Sequence, residues 1–329
     1  MLVRCDGVGD AALCIPSLEG LRRAFPHAVF GAVCSPANAT LFSDRVNRVY
    51  VYDESRPVAS MREELRSGQY TKALIATEEV AGYQIGRLSG APQRSGFWHR
   101  LHKPFKSLWQ RAQVTAPVFR PAAWTKRPEH EVQTIYRLAL ALGAQESAPQ
   151  DAPSLRSWLQ VESSNVSRAA KGAIGFQITP KLITQDLGPS GLATVVVEAL
   201  AALGGRRGLL IASAADESLA CAVFEHVPVA QKNSGLLTLA TSLSLPQWLG
   251  VLDAVDALVT PDTGAAHVAG MLGKRLVDIF NEGDYERLEA QWHPWAGSWR
   301  CHAKRPFDME WDAAAYGRFI ASEVSSLFV

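Results

Sequence analysis

A strand, a helix and a second strand are predicted between residues 257 and 280, and this segment constrains the fold more than any other. An apolar run at 257–259 leads into a turn marked by Pro261 and Gly264, and small residues at 265–272 then favour a helix. An apolar run of β-rich composition follows at 276–280. Two strands joined by a helix in this way lie parallel in one sheet, so the segment predicts an α/β fold.

The start of the predicted helix is a candidate site for a phosphate group. Backbone N–H groups there lack partners within the helix, and the helix dipole favours negative charge. Thr263 is placed to donate to a phosphate oxygen, Gly264 lets a ligand approach the backbone, and His267 follows one turn later. The alternative is that Asp262 and Thr263 only cap the helix and that His267 is a half-buried structural side chain.

The opening of the chain predicts a second unit of the same kind. Leu2–Cys5 and Val29–Cys34 have the composition of strands, Asp6–Asp10 that of a loop, and Ala11–Phe25 that of a helix with one apolar face. Two such units in one chain favour a doubly wound arrangement of helices and parallel strands.

The same opening also fits the loose dinucleotide-binding pattern, with glycines at 7 and 9 and Ala12. This pattern would indicate a nicotinamide or flavin enzyme. Two features disfavour that interpretation. The second strand ends at Cys34 without an Asp or Glu to hold a ribose, and Asp10 places a carboxylate where the pyrophosphate should lie.

Length and composition describe a globular protein of two domains. The chain has 329 residues, of which 47% are hydrophobic and 20% charged, and a length of this size exceeds one ordinary core. The formal net charge of +1 gives no global argument for nucleic-acid binding. Five cysteines without a CxxC pair favour reduced thiols, and the sequence shows neither a spanning segment nor a signal pattern, so we expect a cytoplasmic protein.

Two motifs together resemble the lipopolysaccharide heptosyltransferase family, glycosyltransferase family nine. One is Asp262-Thr-Gly-Ala-Ala-His267, which is similar to that family's Asp-(Ser/Thr)-Gly-x-x-His. The other is Arg4-x-Asp6-Gly-x-Gly-Asp10, with Leu-Arg-Arg-Ala-Phe-Pro at 21–26, which is similar to the family's opening. The chain departs from the family near Lys181, where Lys-x-Trp-Pro is missing, and at 281–284, where Asn-Glu-Gly-Asp replaces Gly-Pro-Thr.

The resemblance implies two Rossmann-like α/β domains that face a cleft, the type-B glycosyltransferase (GT-B) arrangement. We predict an acceptor domain at 1–153 and a donor domain at 154–309, with a linker rich in Ala, Pro, Ser and Gln between them. The last segment, 310–329, is predicted to be a helix that packs back on the first domain. The implied activity is inverting transfer of a heptose, or a related sugar, from a nucleotide-sugar such as ADP-heptose to a lipopolysaccharide-core or similar anionic glycolipid.

The resemblance also assigns residues to the reaction. Asp10 corresponds to the proposed general base, which must reach the acceptor hydroxyl. The helix start, with Lys181, is implied to stabilise the departing diphosphate as its charge grows. A carboxylate suits the vicinal hydroxyls of a ribose, and Glu217 is preferred for that role over the neighbouring Asp216. The predicted donor-binding residues are Lys181, Asp216, Glu217, Asp262, Thr263, Gly264, Ala265 and His267. No cofactor and no metal is expected. The helix dipole and cations can stabilise the diphosphate, and the chain contains no Asp-x-Asp to hold a metal.

The strongest charge asymmetry lies between residues 94 and 128. This segment has eight Lys or Arg residues, no acid and several interleaved aromatic residues. We interpret it as a flexible loop that contacts the anionic acceptor at the inner membrane surface, the alternative being an ordinary solvated basic face. The predicted acceptor-binding residues are Arg94, Arg100, Lys103, Lys106 and Arg120.

A binding protein that kept this fold and lost turnover is the second hypothesis, because the segments around Lys181 and 281–284 depart from the family. The intact motifs at Asp10 and at 262–267 favour the enzyme. In either case the expected partners are a nucleotide-sugar and an anionic glycolipid, without nucleic acid and with peripheral contact to the inner membrane.

Overall fold

The structure, a computed structural model, describes residues 1–42, 44–99, 103–121, 128–145, 147–182, 187–303 and 312–329. It divides the chain into two compact units, Met1–Gln160 and Val161–Val329. The division therefore falls after Gln160, whereas the sequence predicted it after Pro153. The predicted linker is also partly helical, because Asp151 caps a helix at Ala152–Arg156 by accepting from the Ser154 N–H.

The first unit contains a six-stranded, fully parallel sheet in the order β3-β2-β1-β4-β5-β6. Its strands are β1 (Leu2–Arg4), β2 (Gly31–Cys34), β3 (Arg48–Val51), β4 (Lys72–Ile75), β5 (Gln93–Trp98) and β6 (Ala116–Phe119). The central strands are apolar on both faces because helices cover both sides of a parallel sheet. Chain order reverses between β1 and β4, which is the switch point of a doubly wound fold.

Seven helices surround this sheet among the described residues. They are α1 (Val8–Ala12), α2 (Ile15–Ala24), α3 (Arg62–Ser67), α4 (Val80–Leu88), α5 (Pro104–Gln113), α6 (Glu131–Leu140) and α7 (Ala152–Arg156).

The predicted helix at 11–25 starts earlier and is interrupted. It begins at Val8, so Asp10 lies in the first turn of α1 and not in a loop. A second helix then starts at Ile15, next to Pro16. Proline has no N–H to donate and its ring clashes with the carbonyl four residues earlier, so one continuous helix cannot pass through this position.

The basic segment at 94–128 is also more ordered than predicted. In place of a flexible loop, the described part of it contains β5, α5 and β6. Strand β6 pairs with β5 from Ser95↔Ala116 to Trp98↔Phe119 and forms the edge of the sheet.

The second unit repeats the same topology, in the order β9-β8-β7-β10-β11-β12. Its strands are β7 (Ile174–Gln177), β8 (Gly208–Ile211), β9 (Leu237–Ala240), β10 (Ala257–Pro261), β11 (Arg275–Phe280) and β12 (Ser298–Ala303). Its helices are α8 (Asn165–Ala170), α9 (Pro189–Ala202), α10 (Glu217–Glu225), α11 (Val229–Asn233), α12 (Leu245–Ala254), α13 (Gly264–Met271), α14 (Tyr285–Trp292) and α15 (Ala313–Ser326). The predicted class of two Rossmann-like α/β units, as in GT-B glycosyltransferases, is thus confirmed.

The terminal helix α15 belongs to this second unit, although the sequence predicted that it would pack on the first domain. Its buried side chains, Tyr316, Ile320 and Val324, join the same apolar core as Val195 and Val196 of α9. The apolar face that would have covered the first domain is therefore used within the second unit.

None of the helices among the described residues combines the length and the apolar composition that crossing a membrane requires.

We predict that Gly317→Ala destabilises the protein, although alanine favours a helix over glycine by about 1 kcal/mol. Gly317 lies where α15 crosses α9, and a Cβ there would be 2.5 Å from the Val195 carbonyl oxygen. Because that neighbour is backbone, we expect a loss of about 1–3 kcal/mol in the free energy of unfolding, measured by denaturant titration. The matched control is Ser322→Ala on the exposed side of the same helix, expected to change stability by less than about 0.5 kcal/mol. A Gly317→Ala protein as stable as the control would contradict the close helix crossing.

Candidate functional site

The second unit collects polar side chains at one edge of its sheet. Because its strands are parallel, their carboxyl ends share this edge, and the switch point lies between β7 and β10. Lys181 follows β7, Glu217 follows β8, and Asp262 and Thr263 follow β10. The predicted donor-binding residues are thus all placed at this edge.

The start of α13 has the geometry expected of a phosphate site. Thr263 is the N-cap, with an extended backbone, and its hydroxyl accepts from the Ala265 N–H at 3.3 Å. The Thr263 hydroxyl also shares a hydrogen bond of 3.1 Å with the Thr260 hydroxyl. These contacts hold the loop so that the first N–H groups of α13 point out of the helix end.

A lysine lies at the same place, across the switch point. The Lys181 ammonium donates to the backbone carbonyl of Asp262, and the Asp262 N–H donates to the Ile279 carbonyl at 2.9 Å. Burial raises the pKa of the Asp262 carboxyl, and the Lys181 charge opposes that rise. A cation and a helix start therefore meet at one point, the combination that a diphosphate requires.

His267 is buried one turn into α13. Its ring lies 6.0 Å from the Trp292 ring, centre to centre, at a tilt of 46°. The sequence left open whether this histidine contacts a ligand or only packs, and the structure places it among packed side chains behind the helix start.

Glu217, the preferred ribose ligand, is oriented by two hydroxyls. Thr241 donates to Glu217 Oε1 at 2.8 Å, and Ser242 donates to Oε2 at 2.7 Å. Both hydrogen bonds lower the pKa of Glu217. Ser242 holds a positive φ of 54°, a strained conformation for a residue other than glycine. Asp216 instead accepts from the Ser213 hydroxyl at 2.9 Å within its own turn.

The sequence analysis missed Asp278, which is fully buried in β11. It lies beside Thr260 of β10 in the strand register, and the Ile279 backbone N–H is the hydrogen-bond donor next to its carboxyl. Burial raises its pKa well above the ordinary value, with the Asp262 charge adding to the rise and the Lys181 charge opposing it. The signal was an acid in the middle of the apolar run Leu276–Phe280.

We predict that Asp278→Asn stabilises the protein at neutral pH. Because the folded-state pKa is raised, the folded chain retains a proton that the unfolded chain releases. The stability of the wild type is therefore complete below the unfolded pKa of about 4 and falls as the pH rises towards the folded pKa. Asparagine is close to the neutral acid in shape and has no proton to lose, so its advantage should grow with pH.

Thermal unfolding at a series of pH values measures this difference. The control is Asp256→Asn, a half-exposed aspartate of the same unit, which should leave the pH profile of the wild type unchanged. A loss of stability in Asp278→Asn at every pH would show that the carboxylate is ionised and paired.

The first unit places Asp10 next to a buried arginine. Arg4, at the end of β1, is 7% exposed, and its guanidinium contacts Asp10 Oδ1 at 2.7 Å and Asp6 Oδ2 at 3.0 Å. It also donates to the Ala76 carbonyl beyond β4. Arg4 thus ties Asp10 to the switch point between β1 and β4 and fixes one carboxyl oxygen.

The same geometry disfavours a dinucleotide site in this unit. A Cβ built on Gly7 would lie 3.6 Å from Asp10 Oδ2, so the carboxylate stands over the glycine loop. A pyrophosphate in that loop would meet a negative charge in place of helix N–H groups.

The acceptor candidates do not form one group. Arg120 pairs with both oxygens of Glu131, at 2.8 and 3.0 Å, and with Glu78 at 3.0 Å. Glu78 also contacts His99 at 3.0 Å and Lys103 at 3.6 Å. Burial alone would raise the pKa of Glu78, because it disfavours the ionised carboxyl. The His99 hydrogen bond and the neighbouring cations outweigh this effect and lower the pKa to about 2. The Arg120 guanidinium is therefore committed to a buried ion-pair network.

The other acceptor candidates are dispersed. Arg94 lies at the amino end of β5, the edge opposite to Asp10, and donates to the carbonyls of Ala91 and Gln113. Lys103 and Lys106 lie at the start of α5, at the same edge as Asp10. Arg100 lies outside the described residues.

The comparisons with known proteins agree with the motifs. Residues 197–305, which include α13 and both strands beside it, match the sequence model of glycosyltransferase family 9 (heptosyltransferase). No curated protein matches the chain.

Solved structures show the fold over the whole chain. The Escherichia coli ADP-heptose LPS heptosyltransferase II is 16% identical, with 99% of this chain and 97% of that chain covered and a TM-score of 0.74. A family 9 glycosyltransferase from Veillonella parvula DSM 2008 is 16% identical, with 99% and 95% covered and a TM-score of 0.70. The E. coli heptosyltransferase WaaC with ADP is 18% identical, with 98% of each chain covered and a TM-score of 0.69.

The identities with these structures are too low to carry more than the fold, and the family rests on the match at residues 197–305. Residues 197–305, which contain the motif at 262–267, are therefore similar to glycosyltransferase family 9, the heptosyltransferase family, in agreement with the predicted resemblance.

Proposed function

We propose that this protein transfers a heptose from ADP-heptose to a lipopolysaccharide-core or similar anionic glycolipid, with inversion at the anomeric carbon. The observation that carries the proposal is the meeting of the Lys181 ammonium with the Thr263-capped start of α13. An ammonium and a helix start at a switch point suit the diphosphate of a nucleotide-sugar. The choice of ADP-heptose is supported by the solved E. coli enzyme that was crystallised with ADP and by one named for ADP-heptose.

The donor is assigned to the edge of the second unit. The diphosphate binds the Gly264 N–H at the start of α13 and Lys181, while Glu217 accepts from the ribose hydroxyls. Glu217 suits this role because Thr241 and Ser242 each occupy one lone pair of its oxygens and leave another for the ligand. We assign His267 to the support of the helix start, since it is packed behind it.

The reaction is a direct displacement. Asp10 takes the proton of the acceptor hydroxyl through Oδ2, because Arg4 holds Oδ1. The hydroxyl oxygen forms a bond to the anomeric carbon as the bond from that carbon to the diphosphate oxygen breaks, which inverts the configuration. The negative charge that develops on the diphosphate is stabilised by the dipole of α13 and by Lys181, groups fixed before the reaction starts. These substrates place the reaction at the cytoplasmic face of the inner membrane.

We predict that Asp10→Asn abolishes most turnover and leaves the affinity for ADP within about twofold. A missing general base typically costs about 10²–10⁴ in rate, whereas nothing in the donor assignment involves Asp10. Turnover is measured as ADP release with a lipopolysaccharide-core acceptor, and affinity by calorimetric titration.

Asp6→Asn is the matched control, because Asp6 contacts the same guanidinium. It should retain most of the activity. A protein that loses turnover with Asp6→Asn but not with Asp10→Asn would overturn the assignment of the base. ADP binding without any turnover in the wild type would instead favour the non-catalytic binding protein.

We predict that Glu217→Gln weakens ADP binding by about tenfold and that Asp216→Asn changes it by less than about twofold. The amide keeps the shape of Glu217 but replaces one acceptor oxygen with a donor. The Asp216 carboxyl instead accepts a hydrogen bond from Ser213 within its own turn. Each variant is titrated calorimetrically with ADP and with an ADP analogue that lacks both ribose hydroxyls. The comparison shows which of the two carboxyl groups contacts the ribose. The reverse order of effects would assign the ribose to Asp216.

A further inference from the structure

Helix α5 of the first unit presents its apolar residues to solvent. Phe105 is 88% exposed and Leu108 is 72% exposed, and they lie three residues apart on one face of the helix. Pro104 and Ala112 extend this exposed face. We call the side chains of Phe105 and Leu108 the apolar face of α5.

The opposite face of the helix is buried and polar. The Ser107 hydroxyl accepts from the His99 N–H at 3.0 Å, and Gln110 donates to the Glu78 carbonyl at 3.1 Å. Gln113 accepts from Arg87 at 3.2 Å. These hydrogen bonds hold the helix to its unit together with Trp109, whose ring lies 6.0 Å from the Tyr83 ring and packs on the core. Phe105 and Leu108 are left exposed.

Water-exposed Phe and Leu on one helix face are typical of a surface that meets an apolar phase. A stable protein interface needs roughly 800 Å² from each partner, whereas two side chains on a ten-residue helix offer much less. A bilayer imposes no such minimum, because a short helix needs only to bury its apolar side chains at the level of the headgroups.

The charges around this face favour an anionic bilayer. Residues 104–113 contain no acid, and Lys103, Lys106 and Arg111 lie before, between and after the two apolar side chains. Lys103 is partly used by Glu78, whereas Arg111 is exposed. Each basic side chain near an anionic bilayer strengthens binding by about fivefold.

The position of the helix fits this partner. Strand β5 pairs with β4 and β4 with β1, so the carboxyl end of β5 lies at the sheet edge that carries Arg4 and Asp10. Helix α5 starts just after that end, with Phe105 in its first turn. A membrane that covers this face lies beside the edge where an acceptor hydroxyl must arrive.

We propose that the apolar face of α5, with Lys106 and Arg111, docks the first unit on an anionic phospholipid bilayer. The proposal deepens the proposed function, on which its biological meaning rests: it brings the enzyme to the surface that contains its glycolipid acceptor.

The test is flotation of the full-length protein with vesicles that contain phosphatidylcholine alone or phosphatidylcholine and phosphatidylglycerol in equal parts. The wild type should float with the anionic vesicles, more at low than at high salt. The double variant Phe105→Ser, Leu108→Ser should bind at least about tenfold more weakly, because both apolar side chains lose their burial. Arg111→Gln should weaken binding by about fivefold at low salt and have little effect at high salt.

Matched controls come from other exposed positions. Val29→Ser with Val229→Ser removes two valines that are 63% and 65% exposed, and Arg62→Gln removes an exposed charge from α3. Both controls should bind vesicles like the wild type. Circular dichroism shows that each variant is folded.

Three results would overturn the proposal. The wild type does not float with anionic vesicles, the double variant floats as well as the wild type, or the double variant changes the oligomeric state in light scattering, which would identify a second copy as the partner. ADP affinity is measured in parallel, because it tests the proposed function separately. Retained ADP binding without flotation rejects only the membrane contact, and flotation without ADP binding rejects only the proposed donor.

Discussion

Parallel strand pairing determines where this protein can do chemistry. Because all strands in a unit run in one direction, their carboxyl ends and the starts of the helices that follow share one edge. At the two switch points, β1 and β4 or β7 and β10 send their connections to opposite faces, and the edge opens between them. Arg4 and Asp10 lie at the first switch point, and Lys181 and Asp262 at the second. Both candidate sites are therefore consequences of strand order.

Each switch point combines one cation with two carboxylates, but burial gives the two groups different chemistry. Arg4 contacts Asp6 and Asp10, and the Asp10 side chain is 39% exposed, so it is open to an incoming hydroxyl. In the second unit Lys181 lies near Asp262 and the fully buried Asp278, and burial raises the pKa of both acids. The first group suits proton removal. The second places the Lys181 charge beside both carboxylates, at the edge proposed for the diphosphate.

The parts of the fold that were predictable from sequence are those governed by local pattern. The βαβ segment at 257–280 has apolar strands and a glycine near each end of its helix, so its elements followed directly. At 2–34 the two strands followed in the same way, but the interruption of the helix before Ile15 did not. The candidates at the start of α13 followed from the same pattern, whereas Lys181 and Glu217 were assigned by the resemblance. Glu217 could be preferred to Asp216 only by resemblance, and the Thr241 and Ser242 contacts that orient it come from the loop after β9.

The features that the sequence did not reveal depend on contacts between distant residues. Helix α5 was missed because its buried face is polar, held by hydrogen bonds to residues such as Glu78 and His99 that sequence spacing does not reveal. Arg120 was taken for a ligand of the acceptor because its partners, Glu78 and Glu131, lie outside the basic segment. The packing of α15 depended on Gly317, whose missing side chain lets the helix approach α9.

The most direct test of the central claim, that the second unit binds a nucleoside diphosphate at Lys181 and the start of α13, is a calorimetric titration with ADP, UDP, GDP and NADH. It is made on the wild type, on Lys181→Met and on Lys171→Met, an exposed lysine of the same unit that serves as the control. The account predicts that ADP binds the wild type and the control alike, and that Lys181→Met weakens it by about tenfold or more. Binding of NADH alone, or ADP binding that does not depend on Lys181, would contradict it.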